Sequence, residues 1–135
     1  MKLTHLLDTS VYSQPLRKRP LASVRKQWEA LGDSRLCISV VCEMEVLQGL
    51  RMQTGKRLWE AYHELLENRL PCLPLDLEVA RVFASASALM HKKGMKRPAL
   101  DLIIAATAIC HNLTLVTCNY CDFACIPELK VEDWS

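Results

Sequence analysis

The segment "ALDLIIAATAIC", Ala99 to Cys110, constrains this chain more than any other. From Leu102 onward it is apolar on nearly every side, so a helix formed here has no wet face and must lie between other elements. A helix buried all round needs neighbours on both sides, which points to a layered fold. Yet Asp101 stands at its head. A carboxylate in a first turn is favoured by the helix dipole, and for one isolated acid that account suffices. What decides its role is whether other acids share its end of the fold.

The surrounding pattern alternates short apolar runs with amphipathic ones. Leu3–Leu7 predicts a first strand ending at Asp8-Thr9-Ser10. A loop carrying Arg17-Lys18-Arg19 follows, then a helix over Leu21–Leu31 stopped by Gly32-Asp33. "RLCISV" predicts a second strand, with Ser39 capping a helix that runs through Leu50. Thr54–Leu70 predicts a longer amphipathic helix with Leu58, Tyr62, Leu65 and Leu66 on one face. "CLPL" predicts a short strand, Asp76 a cap for a helix from Leu77 to His91, and Gly94 its close. Pro98 suits the first position of the helix that holds Asp101. "LTLVT" predicts a strand ending at Thr117, and the tail beyond it a loop with two short strands. Strands alternating with helices predict a central parallel sheet covered on both faces, in one domain over residues 1–135.

Composition adds little about partners: 50% hydrophobic, 24% charged and a net charge of +2 describe an ordinary globular chain. The opening "MKLTHLLDTS" has no secretory pattern, and the run Leu102–Cys110 is half of the roughly 18 residues a spanning helix needs. The seven cysteines are therefore expected as reduced thiols of a cytoplasmic protein that does not enter a membrane. Cys37, Cys42, Cys72 and Cys110 sit in apolar runs and read as small core residues. Cys118, Cys121 and Cys125 contain one pair at zinc-like spacing with no second pair to answer it, so incidental thiols are expected there.

In open parallel sheets, ligands bind beyond the carboxyl ends of the strands. Asp8 lies at that end of the first strand, and Thr117, Asn119 and Asp122 follow the end of "LTLVT". Alone, Asp8 is read more simply as a turn residue. Carboxylates gathered at one edge repel, and at least one pKa rises unless a cation enters. Such oxygen donors suit Mg²⁺ or Mn²⁺. These ions activate water and neutralise charge on a phosphodiester.

"LLDTSV", "ISVVCEMEVLQGL", "ALDLIIAATAICHNLTLVTCNYCDF" and "LKVEDW", taken together, resemble a PIN-domain ribonuclease of the VapC type, the toxin half of bacterial toxin–antitoxin pairs. The resemblance runs from Leu6 to Trp134, although Arg51 to Arg69 carries no diagnostic residue. It implies a three-layer α/β/α PIN-like domain and an endoribonuclease dependent on Mg²⁺ or Mn²⁺. It also implies a homodimer and a small antitoxin partner. The implied catalytic acids are Asp8, Glu45 in "EVLQG", Asp101 and Asp122, with Asp8 and Asp101 as metal ligands. At the fourth position the resemblance offers Asn119 or Asp122, and only Asp122 carries charge. Thr9, Ser10, Thr117 and Asn119 are implied in support.

A helical wheel does not itself select Glu45. It puts Glu43 among Val40, Met44, Leu47 and Leu50, and Glu45 beside Gln48 and Gly49, as the solvated acid. Where the family often has arginine this chain has Cys118, which removes a possible phosphate contact. Arg17, Lys18, Arg19, Lys96 and Arg97 are candidates for RNA phosphate, with plain solvated surface as the alternative. Two rival readings remain. One is a PIN-like module that binds RNA or protein without cutting. The other is a receiver-like domain phosphorylated on aspartate, which needs a lysine ending a late strand; "LTLVTCN" offers none.

Overall fold

A computed structural model describes residues 2–135. Its strands are β1 (His5–Leu7), β2 (Leu36–Ser39), β3 (Cys72–Leu73), β4 (Thr114–Thr117) and β5 (Lys130–Asp133). Its helices are α1 (Thr9–Tyr12), α2 (Ala22–Leu31), α3 (Val40–Met52), α4 (Arg57–Leu65), α5 (Leu77–Lys92), α6 (Ala99–Cys110) and α7 (Tyr120–Phe123). Among the described residues the strands form one parallel sheet in the order β3-β2-β1-β4-β5. The chain builds outward from β1 to β2 and β3, then returns across the sheet to β4 and β5. Right-handed crossovers in opposite directions place helices on opposite faces, giving the three-layer α/β/α architecture. The direction reverses between β1 and β4, the kind of switch point at whose carboxyl edge open parallel sheets bind ligands.

The central strands are continuous apolar runs because both their faces are covered. Leu6, Leu7, Leu36, Cys37, Ile38, Leu115 and Val116 are all buried. Leu7 pairs with Ile38 on one side and Val116 on the other, which fixes where β1 ends relative to its neighbours. Helix α6 is the buried helix its sequence predicts. Leu102, Ile104, Ala105, Ala106, Thr107 and Ala108 are all inside, and the Thr107 hydroxyl donates to the Ile103 carbonyl 2.8 Å away. Burying Leu102 and Ile104 stabilises by roughly 1.5–3 kcal/mol each. The mount for Asp101 is therefore rigid.

Several local expectations hold. Ser39 caps α3, its hydroxyl accepting from the Val41 and Cys42 N–H groups at 3.1 and 3.4 Å. Asp76 caps α5 by accepting from the Val79 N–H at 3.0 Å. Gly32 and Gly94 end their helices at φ 82° and 71°.

Others are corrected. Pro98 is the residue before α6 rather than its first, with an extended ψ of 142°. Helix α4 is shorter than Thr54–Leu70: Gly55 at φ 111° lies before it and Asn68 at φ 58° beyond it, neither in helical backbone. The chain turns after Leu65, so Leu66 is buried while Leu65 is 38% exposed. The tail forms the helical turn α7 and the single strand β5. Of the four cysteines read as core, Cys37 and Cys42 are buried, and burial pushes both thiols up to about 12. Cys72 is exposed and Cys110 half-buried, so neither is a core residue. No helix among the described residues is long and apolar enough to cross a membrane.

Candidate active site

Asp8 follows β1 directly and is the N-cap of α1. Its backbone N–H donates to the Val116 carbonyl of β4 at 2.9 Å, which ties it to the switch point. Its Oδ1 accepts from the Ser10 hydroxyl at 2.6 Å and the Val11 N–H at 3.1 Å. Its Oδ2 accepts from the Thr117 hydroxyl at 2.6 Å. Only 4% of Asp8 is exposed, and Thr117 is fully buried. Burial pushes the Asp8 pKa up from its ordinary value, and the hydrogen bonds from Ser10, Thr117 and Val11 pull against it without cancelling the rise. Thr117 in turn accepts from the Asn119 N–H at 2.8 Å, and Ser10 from the Cys118 N–H at 3.0 Å. The loop after β4 is thus sewn to the loop after β1.

Helix α3 delivers two glutamates to different environments. The Thr9 hydroxyl donates to Glu45 Oε1 at 2.5 Å, which brings Glu45 beside the Asp8 loop. Glu43 is held elsewhere: the Tyr12 hydroxyl donates to its Oε1 at 3.0 Å and the Tyr62 hydroxyl to its Oε2 at 2.9 Å. Both tyrosines are buried. Burial and the Glu43 carboxylate raise both phenol pKa values well above the ordinary range, so the hydroxyls stay donors. The wheel is right that Leu50 is buried and Leu47 packs against the core, and wrong about Met44, which is 52% exposed. Glu43, on that face, is held by the two tyrosine hydroxyls.

Asp101 projects from the first turn of α6. Its pKa is raised, first by burial and then by the charges of Glu45, Asp122 and Asp8, with Arg97 opposing. Asp101 thus feels Glu45, Asp122 and Asp8 as like charges at one edge. Asp122, on α7, accepts from Arg97 Nη2 at 2.7 Å. The Arg97 side chain is 25% exposed, and its Nε is buried without a partner among the described residues. Arg97, a candidate for RNA phosphate in the sequence, is paired here with Asp122, itself a candidate acid. Asn119 is exposed, and its side chain makes no capping bond to α7. Arg17, Lys18, Arg19 and Lys96 are exposed. Cys118 and Cys125 pack partly buried against the core, while Cys121 is exposed.

Among the described residues no three carboxylate, imidazole or thiol groups stand close enough to make a ready-formed metal cluster. The donor set nevertheless fits a hard divalent ion. Its acids offer carboxylate oxygens, and Asp101 is raised first by burial and then by like charges that a cation would offset.

A five-stranded parallel sheet in the order β3-β2-β1-β4-β5, with acids at its carboxyl edge, defines a class of fold. A model of the PIN domain matches residues 5–124, and the chain belongs to that family. Within the family it resembles VapC-type toxins. It is 30% identical to the tRNA(fMet)-specific endonuclease VapC of Salmonella typhimurium over 132 residues, 98% of either chain. It is 33% identical to Toxin FitB of Neisseria gonorrhoeae over 118 residues, 83% of this chain and 85% of that one. The fold superimposes on VapBC2 from Rickettsia felis, solved bound to a promoter DNA fragment, with a TM-score of 0.87 and 26% identity over the whole of both chains.

Proposed function

We propose that this chain is a metal-dependent endoribonuclease that hydrolyses RNA phosphodiester bonds in the cytoplasm, as the toxin of a toxin–antitoxin pair. The observation that carries the reading is the approach of Glu45, Asp122 and Asp8 to Asp101, whose pKa is raised first by burial and then by those like charges, with Arg97 opposing. The endonuclease and toxin names of the relatives support it. The likeness to VapBC2 supports an antitoxin partner. A homodimer follows from the same family resemblance.

Asp8 and Asp101, with Glu45 beside them, would hold Mg²⁺ or Mn²⁺. The ion supplies Lewis acidity toward water and neutralises charge building on the phosphodiester. The chain's own residues do the rest. Ser10, Val11 and Thr117 fix the direction of both Asp8 oxygens before any ligand arrives. Thr9 orients Glu45 across the cleft. Asp101, in the first turn of α6, would face the ion, with burial and the nearby acids raising its pKa until a cation is bound. Arg97 holds Asp122 in place.

Purified chain is expected to cut labelled RNA with Mg²⁺ or Mn²⁺ and to stop in EDTA. Asp101→Asn should lose about 10²–10³-fold in rate, the scale of removing one group that stabilises transition-state charge, while keeping its fold. A variant that cuts as fast as wild type removes Asp101 from the mechanism. RNA binding with no metal-dependent cutting would make the chain a binding module instead.

A further inference from the structure

Beside the acidic edge runs an open groove of about 290 Å³ between the segment after β1 and helix α3. Leu16, Leu50 and Leu58 give it apolar walls, Arg17 a cationic rim, and Thr9 and Glu45 make it continuous with the site. Gly49, the remaining residue that matters, is unusual. It lies inside α3 without positive φ, so its backbone does not require glycine. A Cβ added there would meet nothing within 4 Å, so packing does not require it either. Glycine inside a helix costs about 1 kcal/mol relative to alanine. What its missing side chain provides is open space over the groove.

We propose that this groove is a nucleotide subsite: it seats the base of one nucleotide flanking the scissile bond, with Arg17 on that nucleotide's phosphate. The proposal rests on the nuclease reading above. RNA is favoured as occupant because the groove joins an apolar wall to a cationic rim and opens onto the acids that would engage the phosphodiester. A base presents an apolar face and its phosphate an anion, and a strand entering the cleft carries both into the groove together. Lys18 and Arg19, next in the chain, are exposed as well.

The test fills the groove. Gly49→Leu adds a side chain into empty space on a helix that tolerates it, so its Tm should equal or exceed that of wild type. Binding of a labelled single-stranded oligoribonucleotide, followed by fluorescence anisotropy in EDTA, should weaken roughly ten-fold. Arg17→Gln should weaken binding and lower the slope of log affinity against log salt by about one. On RNA randomised around the cut, wild type should prefer particular bases at one flanking position, and Gly49→Leu should flatten that preference. Gly49→Leu that binds and selects like wild type overturns the subsite, even if cutting is intact. Unchanged RNA binding with lost self-association would overturn it in favour of a second copy of the chain. Gly49-dependent RNA binding with no cutting by wild type would remove the nuclease reading and leave the subsite standing. If Gly49→Leu melts early, Gly49→Ala and the Arg17→Gln salt slope decide the matter by the same readouts.

Discussion

Glu43 and Glu45 leave helix α3 two positions apart and meet opposite conditions. Glu43 receives two hydroxyl donors from buried tyrosines, so its charge is met inside the protein. Glu45 receives one, from Thr9, and its charge acts on Asp101 across the cleft. One carboxylate is satisfied and fastens α1 and α4 to α3. The other is left partly unsatisfied among like charges. An acid with its donors supplied contributes to stability, whereas an acid facing other acids stores repulsion that a cation can relieve.

Exchanging the two roles by mutation is the strongest way to break this contrast. Glu45→Gln should reduce RNA cleavage about 10²-fold in a gel assay and leave the melting temperature nearly unchanged. Glu43→Ala should do the reverse. It strands two buried hydroxyls and should destabilise by about 1–3 kcal/mol in urea titration, with cleavage per folded molecule close to wild type. If Glu43→Ala abolishes cleavage at full stability, the division of labour on α3 is wrong. Arg97→Met comes next. Its ion pair with Asp122 is partly exposed, at 25% and 49%, so the stability change should be at most about 1 kcal/mol. Cleavage should fall several-fold as Asp122 loses its anchor.

The smallest effect is a pH dependence. Asp8 and Asp101 both have pKa values raised above the ordinary 3.8. The folded chain therefore keeps protons that the unfolded chain releases. Their contribution is fully present below the ordinary pKa and is lost as pH rises through the raised one. In EDTA, Asp101→Asn should then melt slightly above wild type near neutral pH, with the gain shrinking toward about pH 4. Adding Mg²⁺ should raise the wild-type melting temperature more than that of the variant. A gain that grows on acidification would contradict the raised pKa of Asp101.

Much of this architecture is legible because it is local. Ser39 and Asp76 announce their caps within three residues, and the apolar run of α6 needs no partner to be recognised. The acids at strand and helix ends are legible for the same reason. Glu43 is different: its tyrosines lie 31 and 19 positions away, and no wheel drawn on α3 contains them. The pairing of Arg97 with Asp122 spans 25 positions and was equally hidden. Helix α7 is too short for periodicity to reveal it. A single turn has little stability of its own and forms here with Phe123 and Ile126 buried in the core.

The three hydrogen bonds on Asp8 have a consequence that lone pairs make plain. A carboxylate offers about four acceptor sites, two on each oxygen. Ser10 and the Val11 N–H use both of those on Oδ1, and Thr117 uses one on Oδ2. Oδ1 is thus committed to the loop after β1, while Oδ2 keeps room for a further partner. On the proposed reading, Oδ2 would be the Asp8 oxygen that holds Mg²⁺ or Mn²⁺, so loosening the loop and loading the ion are separate events.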